Sequence, residues 1–379
     1  MENQILDRKY LPKFGWRPII LTVTNGDYPV LDKSLELEAK DIKVFQAKTF
    51  SFHKIFNLFN KEKHTPTFQL SSSENENIFV KVSRWIRINI IIPDGRIGWY
   101  PNAVKVGDGI IKHNKIDAIL SSAPPYTAHL IAKRLSLYHN IPWVADFRDP
   151  WTDRFYNLEN KRLLLAEKID KYLETSVINS ANKRITVSKN ISKYYTKPFH
   201  VIPNGFDEED FKVNNDDNNK KNKKKKVVIS YLGTMTKSQN PKCFFKQISN
   251  LNQKQNIYQV NLVGSIHPDI KNYIYKHNFD RFIKLLPYVK HSDAIQKMVD
   301  SSFLLLVIPN TKKNEGIITG KVFEYIRSMT KIIMIGPQSS DAAKIIKETC
   351  SGKCFSYEEK DSISSYLIDG EKSLTKNFE

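Results

Sequence analysis

The sequence predicts an α/β protein of two domains, each built on a parallel sheet. Short apolar runs alternate with helix-like patterns along nearly the whole chain, which is typical of parallel strands joined by right-handed helical crossovers. The chain has 379 residues, which is too long for one ordinary core. A tract rich in asparagine and lysine, residues 212–226, separates two such sets of elements. We therefore expect domains at residues 1–211 and 227–379, with a linker between them.

The short apolar runs are the predicted strands, and segments with helical spacing lie between them. The strands are 19–24, 118–122, 143–147, 184–187 and 201–203 in the first domain, and 227–232, 259–263, 283–286, 303–308 and 332–335 in the second. The helices include 128–138, 161–180, 241–251, 293–299 and 341–348. Open α/β sheets bind ligands beyond the carboxyl ends of their strands, so the loops after these strands form the candidate site.

Charge and cysteine content narrow the class of protein. The net charge is +19, and six lysines lie in residues 220–226, which fits either a solvated linker or attraction to an anionic membrane or substrate. No helix-turn-helix, RNA-binding signature or zinc finger indicates a nucleic-acid partner. No apolar run is long enough to span a bilayer, and no signal peptide is visible. Three cysteines without a disulfide framework favour the cytoplasm, and Cys350 and Cys354 lack a second pair of zinc ligands.

One amphipathic segment interrupts the alternation of strands and helices. Residues 49–78 are polar and irregular. Apolar and basic residues then recur on two faces of a predicted helix: Phe79, Val82, Trp85, Ile86 and Ile90 on one, with Lys81, Arg84 and Arg87 on another. Such a helix either packs on the first domain or lies among the lipid headgroups of a membrane.

The most informative stretch is residues 301–326. It predicts a buried strand, a loop and a helix that opens with Thr319, Gly320 and Lys321. Backbone amides and a lysine at a helix start attract an anion. Glu324, one turn later, suits the hydroxyl groups of a ribose. The stretch therefore predicts a nucleotide site, although its spacing excludes a P-loop.

Eight motifs in order carry a family resemblance. They are YLPKFGWRPIILTV (10–23), IPDGRIGWYPNAV (92–104), SSAPPYTAH (121–129), IPWVADFRDPWTD (141–153), ITVSKNI (185–191), VIPNGFDEEDF (201–211), YLGTM (231–235) and TGKVFEYI (319–326). Together they resemble the retaining family 4 glycosyltransferases of bacterial surface-polysaccharide synthesis. The resemblance implies two facing Rossmann-like domains (the GT-B architecture), with the acceptor on the first and the donor on the second.

The resemblance also implies roles for single residues. The implied donor-binding residues are Gly233, Thr234, Thr319, Gly320, Lys321 and Glu324. Glu324 matches the acidic residue that holds the ribose of a sugar nucleotide. Lys237 matches the basic residue that neutralises the leaving diphosphate, a charge that the reaction must stabilise. With lysines in that role, we expect no metal ion and no other cofactor.

Further candidates lie in loops of the first domain. Asp146, Arg148 and Asp149 follow a predicted strand. They either bind the acceptor and assist proton transfer or form an ion pair that shapes the loop; Arg148 and Asp149 complete the catalytic candidates. His129 either contacts the substrate or packs on its helix. Asn204, with the glycine after it, suits a tight turn at the hinge and is a further cleft candidate.

Two departures from the family pattern affect the expected site. Family members often carry an acidic residue eight positions before the ribose-binding glutamate, and this chain has Gly316 there. The identity of the sugar therefore stays open. The chain also begins inside the helix that usually follows the first strand, at about residues 5–11. We therefore expect the first strand and its glycine loop to be missing, through a mis-set start codon or a truncated gene.

The sequence thus predicts a cytoplasmic enzyme at the inner face of the cell membrane. It would transfer a sugar from a nucleotide-diphosphate donor, with retention, to a saccharide acceptor carried on a polyprenyl lipid. A sugar-nucleotide epimerase shares this architecture but needs further carboxylates and a histidine around the sugar. The third alternative is a non-catalytic partner protein that binds only the nucleotide.

Overall fold

The computed structural model of the chain describes residues 10–24, 42–50, 78–152, 162–212, 226–359 and 361–376. The chain divides into two compact units, Met1–Pro203 and Asn204–Glu379. Most of the predicted linker and of the irregular segment 49–78 lies outside the described residues, as does most of the helix expected at 5–11. Within the described ranges, no helix is long and apolar enough to cross a membrane.

The first unit contains six described strands in two parallel sheets. The strands are β1 (Ile19–Val23), β2 (Lys43–Ala47), β3 (Ile119–Ala123), β4 (Trp143–Phe147), β5 (Lys183–Thr186) and β6 (His200–Val201). β1 pairs with β2, and the other sheet has the order β3-β4-β5-β6. The helices are α1 (Ile78–Asn89), α2 (Tyr100–His113), α3 (Thr127–His139), α4 (Leu164–Ser180) and the single turn α5 (Lys189–Ser192).

The two sheets of the first unit, β1-β2 and β3-β4-β5-β6, are buried to different extents. Every residue of β1 is only half-buried, and Leu120 of β3 is 50% exposed. By contrast, Trp143, Ala145 and Phe147 of β4 are fully buried. The well-packed core of this unit therefore lies around β4.

The second unit is one parallel sheet of six strands with helices between them. The strands are β7 (Val227–Leu232), β8 (Tyr258–Val263), β9 (Ile283–Leu286), β10 (Phe303–Val307), β11 (Lys331–Ile335) and β12 (Gly352–Phe355). The helices are α6 (Lys242–Lys254), α7 (Pro268–Lys276), α8 (His291–Val299), α9 (Lys321–Arg327), α10 (Asp341–Glu348) and α11 (Ser362–Lys376). The order β12-β11-β10-β7-β8-β9 is that of a Rossmann fold, with its switch point between β7 and β10.

The apolar sequence of β10 explains its central place. All five of its residues are buried. Because successive side chains of a strand point to opposite faces, Phe303, Leu305 and Val307 join the core on one face of the sheet. Leu304 and Leu306 join the core on the other face. A strand covered by helices on both faces reads as a continuous apolar run, which is what this segment shows.

The predicted parallel α/β architecture is confirmed, and each predicted strand is present within two residues of its expected ends. Sequence patterning did not indicate β2 or β12, nor helices α2, α7 and α11. β2 has three exposed residues among its five, so it lacks an apolar run. β12 begins with Gly352, a residue that usually breaks a strand pattern.

His129 lies in the aromatic core of the first unit. Its ring is completely buried and lies 4.5 Å from the Phe147 ring, between centroids. Nδ1 lies 2.8 Å from Ser121 Oγ, while Nε2 is buried with no hydrogen-bond partner among the described residues. Burial lowers the pKa of His129 from 6.5 to about 3, because the charged ring would lose its hydration. The ring is therefore neutral at pH 7, in agreement with the packing interpretation.

This burial predicts an acid-sensitive first unit. Between pH 6.5 and 3 the unfolded chain binds a proton at His129 that the folded chain does not, so stability falls as the pH falls. We expect the native protein to lose about 2 kcal/mol more unfolding free energy between pH 7.5 and 5.0 than His129→Phe does. All five tryptophans lie in the first unit, so urea unfolding followed by tryptophan fluorescence reports on it.

Ser121→Ala is the matched control for this measurement. It removes the hydroxyl group next to Nδ1 but leaves the buried imidazole, so it should keep the native pH dependence. Equal pH dependence in the native protein and in His129→Phe would contradict the account.

Candidate functional site

Two glycines shape the backbone where β7 and β8 end. Gly233 and Gly264 have φ angles of +110° and +116°, which side-chain-bearing residues rarely adopt. A Cβ atom on Gly264 would lie 2.5 Å from the carbonyl oxygen of Gly233. The two loops therefore run in close backbone contact, which Met235 N–H extends by donating to the Ser265 carbonyl at 2.9 Å. This contact leaves a surface of bare backbone at the switch point of the sheet.

Lys321 reaches this surface from the start of α9. Its Nζ donates to the Tyr231 hydroxyl at 3.1 Å and lies 4.3 Å from the centroid of the Tyr231 ring. A Cβ atom on Gly233 would lie 2.8 Å from this Nζ. The structure therefore brings together two predicted donor-binding residues, Gly233 and Lys321. Tyr231, which joins them, was not singled out from the sequence because it reads as an ordinary strand residue.

The loop after β7 is fixed to the end of β10. Gln239 is buried and its side-chain amide donates to the Val307 carbonyl at 2.8 Å. Asn310 N–H donates to the Ser238 carbonyl at 2.8 Å. Thr236 and Gln239 also form a capping box around a short 3-10 helix, Lys237–Gln239. These bonds hold the two loops on either side of the switch point in one arrangement.

Tyr357 and Asn314 also hold the loop between β10 and α9. The Tyr357 hydroxyl donates to the carbonyls of Ile308 and Pro309, at 3.0 and 3.1 Å. The Asn314 side-chain amide donates to the Pro309 carbonyl at 2.8 Å. Burial raises the pKa of the Tyr357 hydroxyl, so it stays a donor at neutral pH. The loop that leads to Lys321 is thus preorganised.

The start of α9 differs in detail from the predicted one. The helix begins at Lys321 and has seven residues, with Gly320 as an N-cap that makes no side-chain bond. Thr319 is not the N-cap, and its hydroxyl is buried without a hydrogen-bond partner among the described residues. Its carbonyl accepts a hydrogen bond from Val322 N–H at 3.1 Å. Glu324 lies half-buried in the first turn.

Lys237, the predicted catalytic cation, lies in a different environment. Its Nζ is 3.0 Å from Asp269 Oδ2 on α7, and the two side chains are 58% and 48% exposed. The hydrogen bond from Lys237 lowers the pKa of the Asp269 carboxyl. An exposed ion pair of this kind contributes little to stability. It does, however, engage the charge of Lys237 with a neighbouring carboxylate.

In the first unit, Asp146 and Arg148 form a hydrogen-bonded network with Ser122. Arg148 Nε donates to Asp146 Oδ2 at 2.9 Å, and the Ser122 hydroxyl donates to the same oxygen at 2.8 Å. The Asp146 side chain is only 6% exposed. This geometry supports the interpretation that the pair shapes the loop, because the buried Asp146 carboxylate is bonded to both Arg148 and Ser122. Ser122, at the end of β3, is a member that sequence reasoning missed.

The rest of the same motif anchors the loop in the core. Trp151 is fully buried and stacks on Tyr126 with ring centroids 4.6 Å apart. Its indole N–H donates to Asp170 Oδ1 at 2.7 Å. The other carboxylate oxygen of Asp170 accepts from Arg162 Nη1 at 2.8 Å. A buried charge is tolerated only when it is paired and hydrogen-bonded, so this network explains why an aspartate lies inside α4.

Of the remaining candidates, Asp149 is exposed, Asn204 is half-buried and His129 is buried. Asp149 is exposed between Arg148 and the buried Trp151, and its carbonyl accepts from the Tyr126 hydroxyl at 3.0 Å. Asn204 begins the second unit. The tight turn expected there is wrong, since residues 202–207 adopt neither helix, strand nor turn. His129 is buried in the core, as described above.

Comparisons with known proteins agree with this architecture. Residues 61–210 match the sequence model described as Glycosyltransferase Family 4. A glycosyltransferase from Rickettsia africae is 15% identical, with a TM-score of 0.61 over 98% of this chain and 84% of that one. Sucrose-phosphate synthase from Thermosynechococcus elongatus is 11% identical, with a TM-score of 0.60 over 93% and 89%. HepE of Anabaena, solved with UDP and glucose, is 12% identical, with a TM-score of 0.57 over 94% and 90%.

These structural likenesses establish the fold. A candidate UDP-N-acetylglucosamine 2-epimerase from Listeria monocytogenes has a similar fold, so the fold alone does not separate transferases from epimerases. No curated protein matches the sequence. The family match covers the motifs from residue 92 to the start of the second unit. The chain therefore has two Rossmann-like domains of the GT-B fold and resembles the family 4 glycosyltransferases.

Proposed function

We propose that the protein is a retaining glycosyltransferase that uses a nucleoside-diphosphate sugar. The acceptor in this proposal is a saccharide on a polyprenyl lipid, at the cytoplasmic face of the cell membrane, in surface-polysaccharide synthesis. The observation that carries the proposal is the position of the Lys321 ammonium beside the bare backbone of Gly233, at the switch point of the second sheet. Dinucleotide and nucleotide ligands bind at such points.

Two comparisons support this choice of substrate. The Glycosyltransferase Family 4 match lies in residues 61–210, mostly in the unit to which we assign the acceptor. HepE, which shares the fold, is described in complex with UDP and glucose. A glycine loop beside a lysine, followed by the carboxylate of Glu324, offers complementary contacts for diphosphate and ribose. We therefore assign donor binding to the second unit.

In the proposed reaction, the bond between the anomeric carbon and the diphosphate oxygen breaks, and its electron pair goes to that oxygen. The acceptor hydroxyl oxygen forms the new glycosidic bond on the same face of the sugar. Its proton goes to a phosphate oxygen of the leaving nucleoside diphosphate. A fixed lysine stabilises the negative charge that develops on the diphosphate. The step requires neither a metal ion nor a protein general base.

An exposed apolar surface in the first unit supports a membrane-bound acceptor. On α4, Leu164, Leu165 and Tyr172 are 75%, 68% and 72% exposed. Trp85 on α1 and Ile90, directly after that helix, are 45% and 62% exposed. We call these five residues the apolar surface. The end of α1 contacts the two residues that precede α4. Arg162 Nε donates to the Ile88 carbonyl at 2.9 Å, and Leu163 N–H donates to Asn89 Oδ1 at 2.7 Å.

The chemistry of this surface suits an anionic bilayer. Lys81 on α1 and Lys168 on α4 are both exposed, and the whole chain carries a net charge of +19. Apolar side chains flanked by lysines bind at the boundary between headgroups and acyl chains. Helix α1 was expected either to pack on the first domain or to lie at a membrane. Its exposed apolar residues support the second interpretation.

Nucleotide binding tests the donor site. Calorimetry with UDP, GDP and ADP should show binding of at least one of them, and Glu324→Ala should weaken it by about tenfold or more, since ribose hydroxyls lose a charged acceptor. The 2′,3′-dideoxy form of the same nucleotide should bind the native protein and the variant equally. Glu348→Ala, an exposed carboxylate at the end of α10, is the matched control. Absence of binding by all three nucleotides would refute the donor site.

Vesicle binding tests the apolar surface. Leu164→Glu combined with Leu165→Glu should weaken binding to phosphatidylglycerol-containing vesicles by at least about tenfold, because two apolar contacts are lost and two negative charges added. Nucleotide affinity should not change. Leu137→Glu, at a position on α3 that is 62% exposed, is the control outside the surface. An equal loss in both variants, or no vesicle binding by the native protein, would rule out this membrane contact.

A further inference from the structure

The second unit contains two lysines near the glycine loop, and their environments differ. Lys237 Nζ lies 3.0 Å from the Asp269 carboxylate. Lys321 Nζ has no carboxylate within ion-pair distance among the described residues and contacts the Tyr231 hydroxyl and ring instead. The charge of Lys237 is therefore already engaged, whereas the contacts of the Lys321 ammonium within the described part of the chain are to a hydroxyl dipole and an aromatic face.

Tyr231 gives Lys321 a fixed direction. The Tyr231 side chain is 1% exposed, and its hydroxyl donates its single proton to the Thr234 carbonyl at 2.6 Å. The hydroxyl oxygen can therefore only accept from Lys321, at 3.1 Å. The face of the ring attracts the same ammonium, with Nζ 4.3 Å from its centroid. One buried side chain thus holds both the ammonium and the glycine loop.

The position of the ammonium follows from the lack of a side chain at residue 233. Lys321 Cε and Nζ lie 2.7 and 2.8 Å from the place where a Cβ of Gly233 would be. The lysine end therefore occupies the space directly over the bare backbone of the loop. An anion bound beside this loop would therefore be close to the ammonium.

We propose that Lys321, held by Tyr231, is the cation that stabilises the leaving diphosphate, and that Lys237 does not have this role. This inference rests on the proposed function, and it replaces Lys237, the residue that the family resemblance implied, as the catalytic lysine. When the bond to the anomeric carbon breaks, the electron pair moves to a diphosphate oxygen. The Lys321 ammonium stabilises that charge by hydrogen bonding. A cation that is already in place needs no reorganisation during the reaction, which is the source of such catalysis.

The test compares Lys321→Ala with the matched variant Lys237→Ala. Calorimetry measures the affinity for the best-binding of UDP, GDP and ADP, and for the corresponding nucleoside. Lys321→Ala should weaken diphosphate binding by about tenfold or more and leave nucleoside binding within about twofold, because only a phosphate contact is lost. Lys237→Ala should change neither affinity by more than about twofold. Lys321→Arg should recover part of the diphosphate affinity, since it restores the charge.

Tyr231→Phe tests the positioning role. It keeps the ring face but removes the hydroxyl, so diphosphate affinity should fall while nucleoside affinity does not. A purely structural effect would lower both affinities together. Thermal unfolding of each variant verifies the fold.

The outcomes separate this inference from the proposed function. Native diphosphate affinity in Lys321→Ala, or a larger loss in Lys237→Ala, overturns the assignment of Lys321 and leaves the proposed function standing. Failure of the native protein to bind any of the three nucleotides overturns both.

Discussion

The candidate site of the second unit depends on the absence of a side chain at Gly233. A Cβ atom there would lie 2.8 Å from the Lys321 ammonium, and the backbone has a φ of +110°. The position after β8 also needs a glycine, because a Cβ atom on Gly264 would lie 2.5 Å from the Gly233 carbonyl oxygen. These constraints bring two loops, a buried tyrosine and a lysine from α9 into one small region. The rest of the loop network holds this arrangement in place.

Sequence patterning predicted five of the six strands of the second unit, because strands such as β7 and β10 are buried on both faces and form apolar runs. The segment from β10 to α9 was identified as a nucleotide site from Thr319, Gly320, Lys321 and Glu324. The partner of Lys321 was not, because contact between Tyr231 and Lys321 joins residues 90 positions apart. Spacing along the chain also could not show that Asp269 pairs with Lys237, since that contact depends on how α7 packs.

The first unit shows why polar motifs are harder to interpret than apolar ones. The residues from Asp146 to Trp151 have the charged and aromatic types expected of a binding loop. In the structure, Asp146 and Arg148 bond to each other, and Trp151 bonds to the buried Asp170. Tertiary packing decides which charged side chains form pairs, and a local sequence pattern does not predict these pairs. Asp149 remains the exposed carboxylate of this loop.

The most direct test of the account is hydrogen exchange on the full chain with and without the nucleotide that binds best among UDP, GDP and ADP. We expect slower exchange at the carboxyl ends of β7 and β8, near Gly233 and Gly264, and in the loop from β10 to Lys321. We expect no comparable slowing in β4 or in the loop after it. Protection confined to that first-unit loop, or no protection with any of the three nucleotides, would contradict it.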